Sequence, residues 1–101
     1  MSLHLVEVGS TSCGVCKMMK PMVERAVSKF SSDERLNFIY INGDTEEGKT
    51  MMDKYAIDNV SKVPSFFFMT ENINDTWILL EKFDGSITLP ALVEKINKHL
   101  A

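Results

Sequence analysis

The sequence predicts an α/β domain in which a mixed β-sheet is covered by helices on both faces. Three observations carry this prediction. Apolar, strand-like runs alternate with helical patterns, the order of elements is β-α-β-α-β-β-α, and only a short turn separates the last two strands. At 101 residues, of which 45% are hydrophobic and 25% charged, the chain predicts one globular domain over residues 1–101.

Apolar patterns define the first two strands and the first helix. Residues 3–8 and 36–41 are short runs rich in strand-forming residues, and the first is followed by a Gly-Ser pair. From Gly14 onwards, apolar residues recur at steps of three and four, as on one face of a helix that ends near Ser31. We expect this face to be buried: Val15, Met18, Met22, Val23, Ala26, Val27 and Phe30.

The second half of the chain predicts two further helices around a hairpin. Asp44 and Glu47 are spaced as a capping box for the second helix. Residues 65–70 and 77–83 predict two antiparallel strands, and Thr88 predicts the N-cap of the last helix, with Pro90 in its first turn. The two β-α-β segments predict that the first three strands are parallel, with right-handed crossovers, and that the hairpin adds an antiparallel edge.

Charge and hydropathy exclude several classes of partner. The net charge of −3 argues against nucleic acid, which requires a basic surface. No run approaches the roughly 18 apolar residues of a membrane span, and no basic-then-apolar signal peptide opens the sequence. We therefore expect a cytoplasmic monomer that binds neither membrane nor nucleic acid.

The two cysteines form one candidate site. Cys13 and Cys16 lie where the first strand leads into the first helix, which places Cys13 at the helix N-terminus. Unpaired N–H groups and the helix dipole favour a negative charge there, and the thiolate is the attacking form of a cysteine. Cys16 lies one turn further in and is more shielded. These positions predict that Cys13 attacks a partner disulfide and that Cys16 resolves the mixed disulfide.

A C-x-x-C pair alone also fits a metal site. Zinc would need two more ligands, and only His4 and His99 remain, at opposite ends of the chain and without a spacing motif. A copper(I) chaperone also carries C-x-x-C between a strand and a helix, and soft thiolates suit that metal. That fold has the order β-α-β-β-α-β, whereas this chain ends in a helix. We expect no metal, and we interpret Met18, Met22, Met51 and Met52 as core filler.

Further residues make the resemblance to a known family plain. Glu7 lies in the first strand six positions before Cys13, Pro21 follows Cys16 by five, and Val63-Pro64 precedes the third strand. Phe83-Asp84-Gly85 and the last helix follow these residues at the spacing found in the same family. From about residue 3 to residue 101, the chain resembles the thioredoxin family.

The resemblance implies an activity and a set of site residues. It implies that this chain exchanges disulfides with protein substrates, takes electrons from a reductase, and needs no cofactor beyond the Cys13–Cys16 disulfide. Glu7 would be a buried proton acceptor for Cys16. The Val63–Pro64 bond would be cis and would face the cysteines. The implied substrate-binding residues are Gly14, Val15, Val63, Pro64 and Gly85.

Several positions depart from the family pattern. Ser12 and Gly9 stand where tryptophans are common, and Val15 replaces the usual proline between the cysteines. From the sequence we expect no counterpart in residues 1–101 to the family's N-terminal strand and helix, and a longer loop between Tyr55 and Pro64. A glutaredoxin-like use of glutathione is the nearest alternative, but Lys62 and the single Gly85 replace that family's threonine and Gly-Gly pair.

Overall fold

The structure, a computed structural model, describes residues 2–58 and 60–101. Four strands and three helices occur in the order predicted from the sequence, which confirms the α/β class: β1 (Leu3–Gly9), α1 (Gly14–Ser28), β2 (Leu36–Asn42), α2 (Glu46–Lys54), β3 (Ser65–Glu71), β4 (Trp77–Asp84) and α3 (Leu89–Leu100). Within the described residues, no helix is both long enough and apolar enough to cross a membrane.

The strands form one mixed sheet in the order β2-β1-β3-β4. β1 and β2 are parallel and β3 and β4 are antiparallel, as predicted. The prediction that β3 is parallel to β1 is wrong, because the two are antiparallel. Ser65 at the start of β3 lies opposite Val8 near the end of β1. The long connection after α2 therefore returns the chain to the carboxyl end of β1 before β3 begins.

Helices cover both faces of the sheet, as the sequence predicts. On one face α1 and α3 pack over a core formed by Leu3, Leu5, Met19, Val23, Ala26, Phe66, Phe68, Leu92, Ile96 and Leu100. On the other face Met51 and Met52 of α2 pack against a second core formed by Val6, Val8, Tyr55, Ile57, Ile41, Phe67 and Met69. β1 and β3 lie in the middle of the sheet and supply side chains to both cores, so they fix the position of the β1–α1 junction.

The buried face of α1 differs from the predicted one. Its buried residues are Cys16, Met19, Val23 and Ala26. Met18, which we expected to fill the core, is 81% exposed, and Val15 is 43% exposed. Once Cys16 faces the sheet, the 3.6-residue period turns these two side chains to the outside. The sequence interpretation set Cys16 apart from the apolar pattern although it belongs to the buried stripe.

The start of α2 also corrects a prediction. Thr45 is the N-cap, and its hydroxyl accepts a hydrogen bond from the Gly48 N–H at 2.9 Å. Asp44 therefore does not cap the helix; its carboxylate accepts the N–H of Thr11 at 3.0 Å, in the loop before the cysteines. Thr88 caps α3 as predicted, accepting the Ala91 N–H.

Two glycines in helices give opposite predictions for substitution by alanine. A Cβ at Gly48 would lie 1.7 Å from the backbone oxygen of Asn42, whereas a Cβ at Gly14 would meet open space. Alanine normally favours a helix by about 1 kcal/mol over glycine. We expect Gly48→Ala nevertheless to lower the free energy of unfolding by about 2 kcal/mol, because α2 must move off β2.

Gly14→Ala is the matched control for this experiment and should leave the free energy of unfolding unchanged or slightly raised. Urea denaturation followed by circular dichroism measures both variants. If Gly48→Ala is as stable as the wild-type chain, α2 does not pack this closely against the end of β2.

Candidate active site

Cys13 and Cys16 form a disulfide at the N-terminus of α1, with their Cα atoms 5.2 Å apart. Cys13 is the N-cap of the helix, and its Sγ accepts the Cys16 N–H at 3.0 Å. The two residues are 9% and 5% exposed. The predicted positions of the cysteines at the strand–helix junction are confirmed.

This geometry favours a negative charge on the Cys13 sulfur when the pair is reduced. An N-cap side chain normally offers an oxygen to one of the unpaired N–H groups of the first turn, and here the sulfur takes that place. The same N–H groups carry the positive end of the helix dipole. A thiolate at this position is therefore stabilised by the backbone alone.

Glu7 lies in β1, between the neighbouring strands β2 and β3. It is opposite Tyr40 of β2 and Phe66 of β3, and only 3% of it is exposed. Burial disfavours the charged carboxylate and raises the pKa of Glu7 from 4.5 to about 7. The predicted burial of Glu7 is confirmed, and the raised pKa makes it a group that changes charge near neutral pH.

A cavity of about 360 Å³ connects Glu7 with Cys16, and we call it the Glu7 cavity. It lies between the first half of α1 and the half-exposed edge strand β2. Its lining residues are Glu7, Ser10, Thr11, Cys16, Lys17, Lys20, Val23, Glu24, Phe38, Tyr40 and Asn42. The sequence analysis missed this cavity and the part that Tyr40 plays in it. The signal would have been the register of β1 with β2, which places Tyr40 beside Glu7.

The packing of Tyr40 gives a structural reason for Gly9. A Cβ on Gly9 would lie 2.5 Å from the Tyr40 hydroxyl oxygen, so the ring occupies the space that a side chain at Gly9 would need. The following loop is tied to the same strand, because the Asn42 amide donates to the Thr11 hydroxyl at 3.0 Å. Tyr40, Thr11 and Asn42 thus form part of the cavity wall, and Gly9 leaves room for the Tyr40 ring.

The Val63–Pro64 bond is cis, as predicted. Pro64 directly precedes β3, whose first residue lies opposite Val8 at the carboxyl end of β1, the end from which the chain leads to Cys13. The Gly85 N–H donates to the Pro64 carbonyl at 2.8 Å, and the φ of Gly85 is +85°, a conformation that favours glycine. Val63 and Gly85 therefore lie at the same end of the sheet as the cysteines.

The two histidines pack against neighbouring side chains. The His4 ring lies 4.7 Å from the Trp77 ring, and His99 contacts Glu81 at 2.8 Å and packs on Phe68. Among residues 2–58 and 60–101, no group of three or more His, Cys, Asp or Glu side chains is arranged to hold a metal ion.

Comparisons with known proteins agree with this fold and site. The thioredoxin family model matches residues 1–98. The germline-specific thioredoxin Deadhead of Drosophila melanogaster superposes with a TM-score of 0.72 at 26% identity, covering 96% of this chain and 80% of that chain. No curated protein sequence matches significantly.

Two further solved structures share the fold at lower identity. Mitochondrial thioredoxin 3 of Saccharomyces cerevisiae has a TM-score of 0.70 at 21% identity, covering 96% of this chain and 78% of that one. Fasciola hepatica thioredoxin has a TM-score of 0.68 at 22% identity, covering 97% and 81%. The fold and the paired cysteines define a protein of the C-x-x-C α/β class. The chain belongs to the thioredoxin family.

The buried carboxyl of Glu7 predicts a specific dependence of stability on pH. Its pKa is about 7 in the folded chain and near 4.5 when unfolded, so Glu7 lowers the stability progressively between these pH values and by a constant amount above them. At about 1.4 kcal/mol per pKa unit, and with solvent in the cavity reducing the effect, the loss is about 2 kcal/mol.

Glu7→Gln removes this charge while preserving the shape of the side chain. We expect the variant to be more stable than the wild-type chain by about 2 kcal/mol at pH 8 and about equally stable at pH 4. Urea denaturation at a series of pH values measures the difference. A constant difference across that range would mean that Glu7 does not change its protonation state with a raised pKa.

Proposed function

We propose that this protein is a thiol–disulfide oxidoreductase that reduces disulfides in protein substrates. The observation that carries the proposal is the placement of the Cys13 Sγ at the N-cap of α1, where it accepts the Cys16 N–H. That placement favours the thiolate on Cys13, while Cys16 lies one turn further into the helix. Cys13 is then the nucleophile and Cys16 the resolving cysteine.

The reaction proceeds in two exchanges. The Cys13 thiolate attacks one sulfur of the substrate disulfide, which forms a mixed disulfide and releases the other substrate sulfur as a thiolate that takes up a proton. The Cys16 thiol then loses its proton and attacks the Cys13 sulfur. The second substrate sulfur leaves as a thiol, and Cys13 and Cys16 are joined. Two electrons and the Cys16 proton pass from the protein to the substrate, and the solvent supplies the proton that the first released thiolate takes up.

Glu7 accepts the Cys16 proton in the second exchange. Both residues line the Glu7 cavity, and a carboxyl with a pKa of about 7 is half ionised at neutral pH. A base is most effective when its pKa lies near the working pH, because it is then partly free to accept and still basic enough to do so. The burial that destabilises the ionised carboxyl thus matches it to this step.

The substrate binds at the end of the sheet that carries the cysteines. Val15 and Val63 are exposed apolar side chains there, and Gly14 is exposed without a side chain to obstruct the approach of another chain. Gly85 is partly exposed beside them, and its N–H donates to the carbonyl of Pro64, whose buried ring supports this surface from below. A protein segment that carries a disulfide would pack on these residues while its sulfur meets Cys13.

A reductase returns the oxidised pair to the dithiol form, and we propose that the protein does this work as a cytoplasmic monomer. The cytoplasm keeps thiols reduced, which supports net reduction of substrates over oxidation. No cofactor other than the cysteine pair enters the chemistry.

The two cysteines should give different phenotypes. Cys13→Ser should lower insulin reduction by dithiothreitol to the uncatalysed rate, because the nucleophile is lost. Cys16→Ser should instead accumulate mixed disulfides with substrate proteins, which a non-reducing gel resolves. Ser12→Ala, a change of the exposed neighbour of Cys13, is the matched control and should retain turnover.

Alkylation of the reduced protein checks the assignment independently. Iodoacetamide at pH 7 should label Cys13 before Cys16, and the reverse order would contradict the assigned roles.

A glutaredoxin-like activity would appear as reduction of glutathione mixed disulfides at a higher rate than reduction of insulin. That result would replace protein disulfides as the proposed substrate class.

The role of Glu7 predicts a defect confined to the second exchange. Glu7→Gln should slow release of the mixed disulfide by about 100-fold at pH 7, because Cys16 loses its proton acceptor. Formation of the mixed disulfide by Cys13 should be unchanged. Acid quenching at a series of times, followed by a non-reducing gel that resolves the mixed disulfide with a single-disulfide substrate, separates the two steps, and equal slowing of both would assign Glu7 a purely structural role.

A further inference from the structure

The Glu7 cavity has the size and lining of a small-molecule site. Its volume of about 360 Å³ falls in the lower part of the roughly 300–1,000 Å³ range of ligand pockets. Apolar groups of Val23, Phe38 and Tyr40 form much of the wall. The cavity lies on the side of β2, away from Val63 and Pro64, so its occupation is distinct from the binding of a substrate segment at Cys13.

Glu7 is an unpartnered polar group inside this cavity. Only 3% of Glu7 is exposed, and none of the described side chains forms an ion pair with it. Burial alone accounts for its raised pKa, without an offsetting charge or hydrogen bond. Buried carboxylates are normally paired, and leaving one unpaired is costly.

The charged and titratable groups around the cavity do not supply the missing partner. They are Lys17, Lys20 and Glu24 on α1, Tyr40 on β2, and Asp44 beyond Tyr40. The two lysines lie on α1 with exposed side chains and leave Glu7 without an ion pair. Burial raises the pKa of the Tyr40 hydroxyl, and the carboxylates of Glu7 and Asp44 raise it further, so two negative charges act on the part of the cavity next to Tyr40.

We propose that the Glu7 cavity binds a small organic ammonium ion, with the ammonium group on the Glu7 carboxylate and the apolar body against Phe38, Tyr40 and Val23. A cation supplies the charge that Glu7 lacks, and aromatic rings attract cations as well as apolar groups. An anion would be repelled by the nearby carboxylate of Glu7. A purely apolar molecule would leave the carboxylate without a partner.

Occupation of this site regulates the redox reaction, a consequence that rests on the proposed function. A paired ammonium group favours the ionised form of Glu7 and lowers its pKa, which makes the carboxylate a weaker acceptor for the Cys16 proton. The bound molecule also fills the space through which Glu7 exchanges protons with solvent. The ligand therefore slows release of the mixed disulfide and leaves the first attack by Cys13 unaffected.

Benzylamine and benzyl alcohol are matched probes for the binding step. They differ in the charged group, and both are titrated into the oxidised protein at pH 8 while amide NMR shifts are recorded. We expect benzylamine to shift the amides of residues 7, 38 and 40 and to bind at least tenfold more tightly than benzyl alcohol. At pH 5.5, where Glu7 is mostly protonated, benzylamine should bind about tenfold more weakly than at pH 8.

Two variants that each lose one negative charge distinguish binding at Glu7 from attraction of benzylamine by the net charge of the protein. Glu7→Gln should abolish the preference for benzylamine over benzyl alcohol, whereas Glu47→Gln, on α2 at the opposite face, should retain it. Equal binding of the two probes, or a pH-independent affinity for benzylamine, overturns the proposal. So does benzylamine binding that survives in Glu7→Gln.

Binding of benzylamine is measured without catalysis, so a failure of the cavity proposal can be told apart from a failure of the proposed function. If benzylamine binds as expected but the wild-type protein does not reduce insulin, the cavity proposal stands and the oxidoreductase proposal falls. If the protein reduces insulin and benzylamine does not bind, the reverse holds.

Discussion

The contact between the Cys13 sulfur and the Cys16 N–H is the interaction on which both the fold of the site and its chemistry depend. It starts α1 at the end of the middle strand, so the helix lies over the core with Cys16 and Met19 facing the sheet. The same bond makes the sulfur the recipient of an N–H group that would otherwise lack a partner. Helix capping and stabilisation of a Cys13 thiolate therefore depend on one interaction, and Cys13→Ser separates the two, because a serine hydroxyl caps the helix without supplying a thiolate.

The sequence predicted the elements better than their directions. Apolar runs and caps such as Thr88 depend on local contacts, so strands, helices and the β3–β4 hairpin were found within a few residues of their observed ends. The direction of β3 depends on where the connection after α2 returns, and composition carries no signal for that. The capping rule also failed at the start of α2. Asp44 and Thr45 are both residue types that cap helices, and in the structure Thr45 is the N-cap.

The candidate site shows the same division. Cys13, Cys16 and the Val63–Pro64 bond could be predicted because each belongs to a short motif with a fixed relation to a strand or helix. Tyr40 and Phe38 could not, because they reach the site through strand pairing with β1 and have no motif of their own. A pair of parallel strands must be placed in register before such residues are seen, and one residue of slip would turn Tyr40 to the other face.

The Tyr40 ring accounts for the departure from the family pattern at Gly9. Gly9 has no side chain, so the Tyr40 ring closes over it, and the adjoining wall is held by the bond between Asn42 and Thr11. Because β2 is an edge strand, no further strand covers this wall in the described sheet. The carboxyl of Glu7 is therefore buried by a few side chains next to open solvent. That arrangement makes the carboxyl costly to ionise and leaves it accessible to a small molecule. One buried charge therefore underlies the pH dependence of stability, the proposed proton transfer and the proposed regulation.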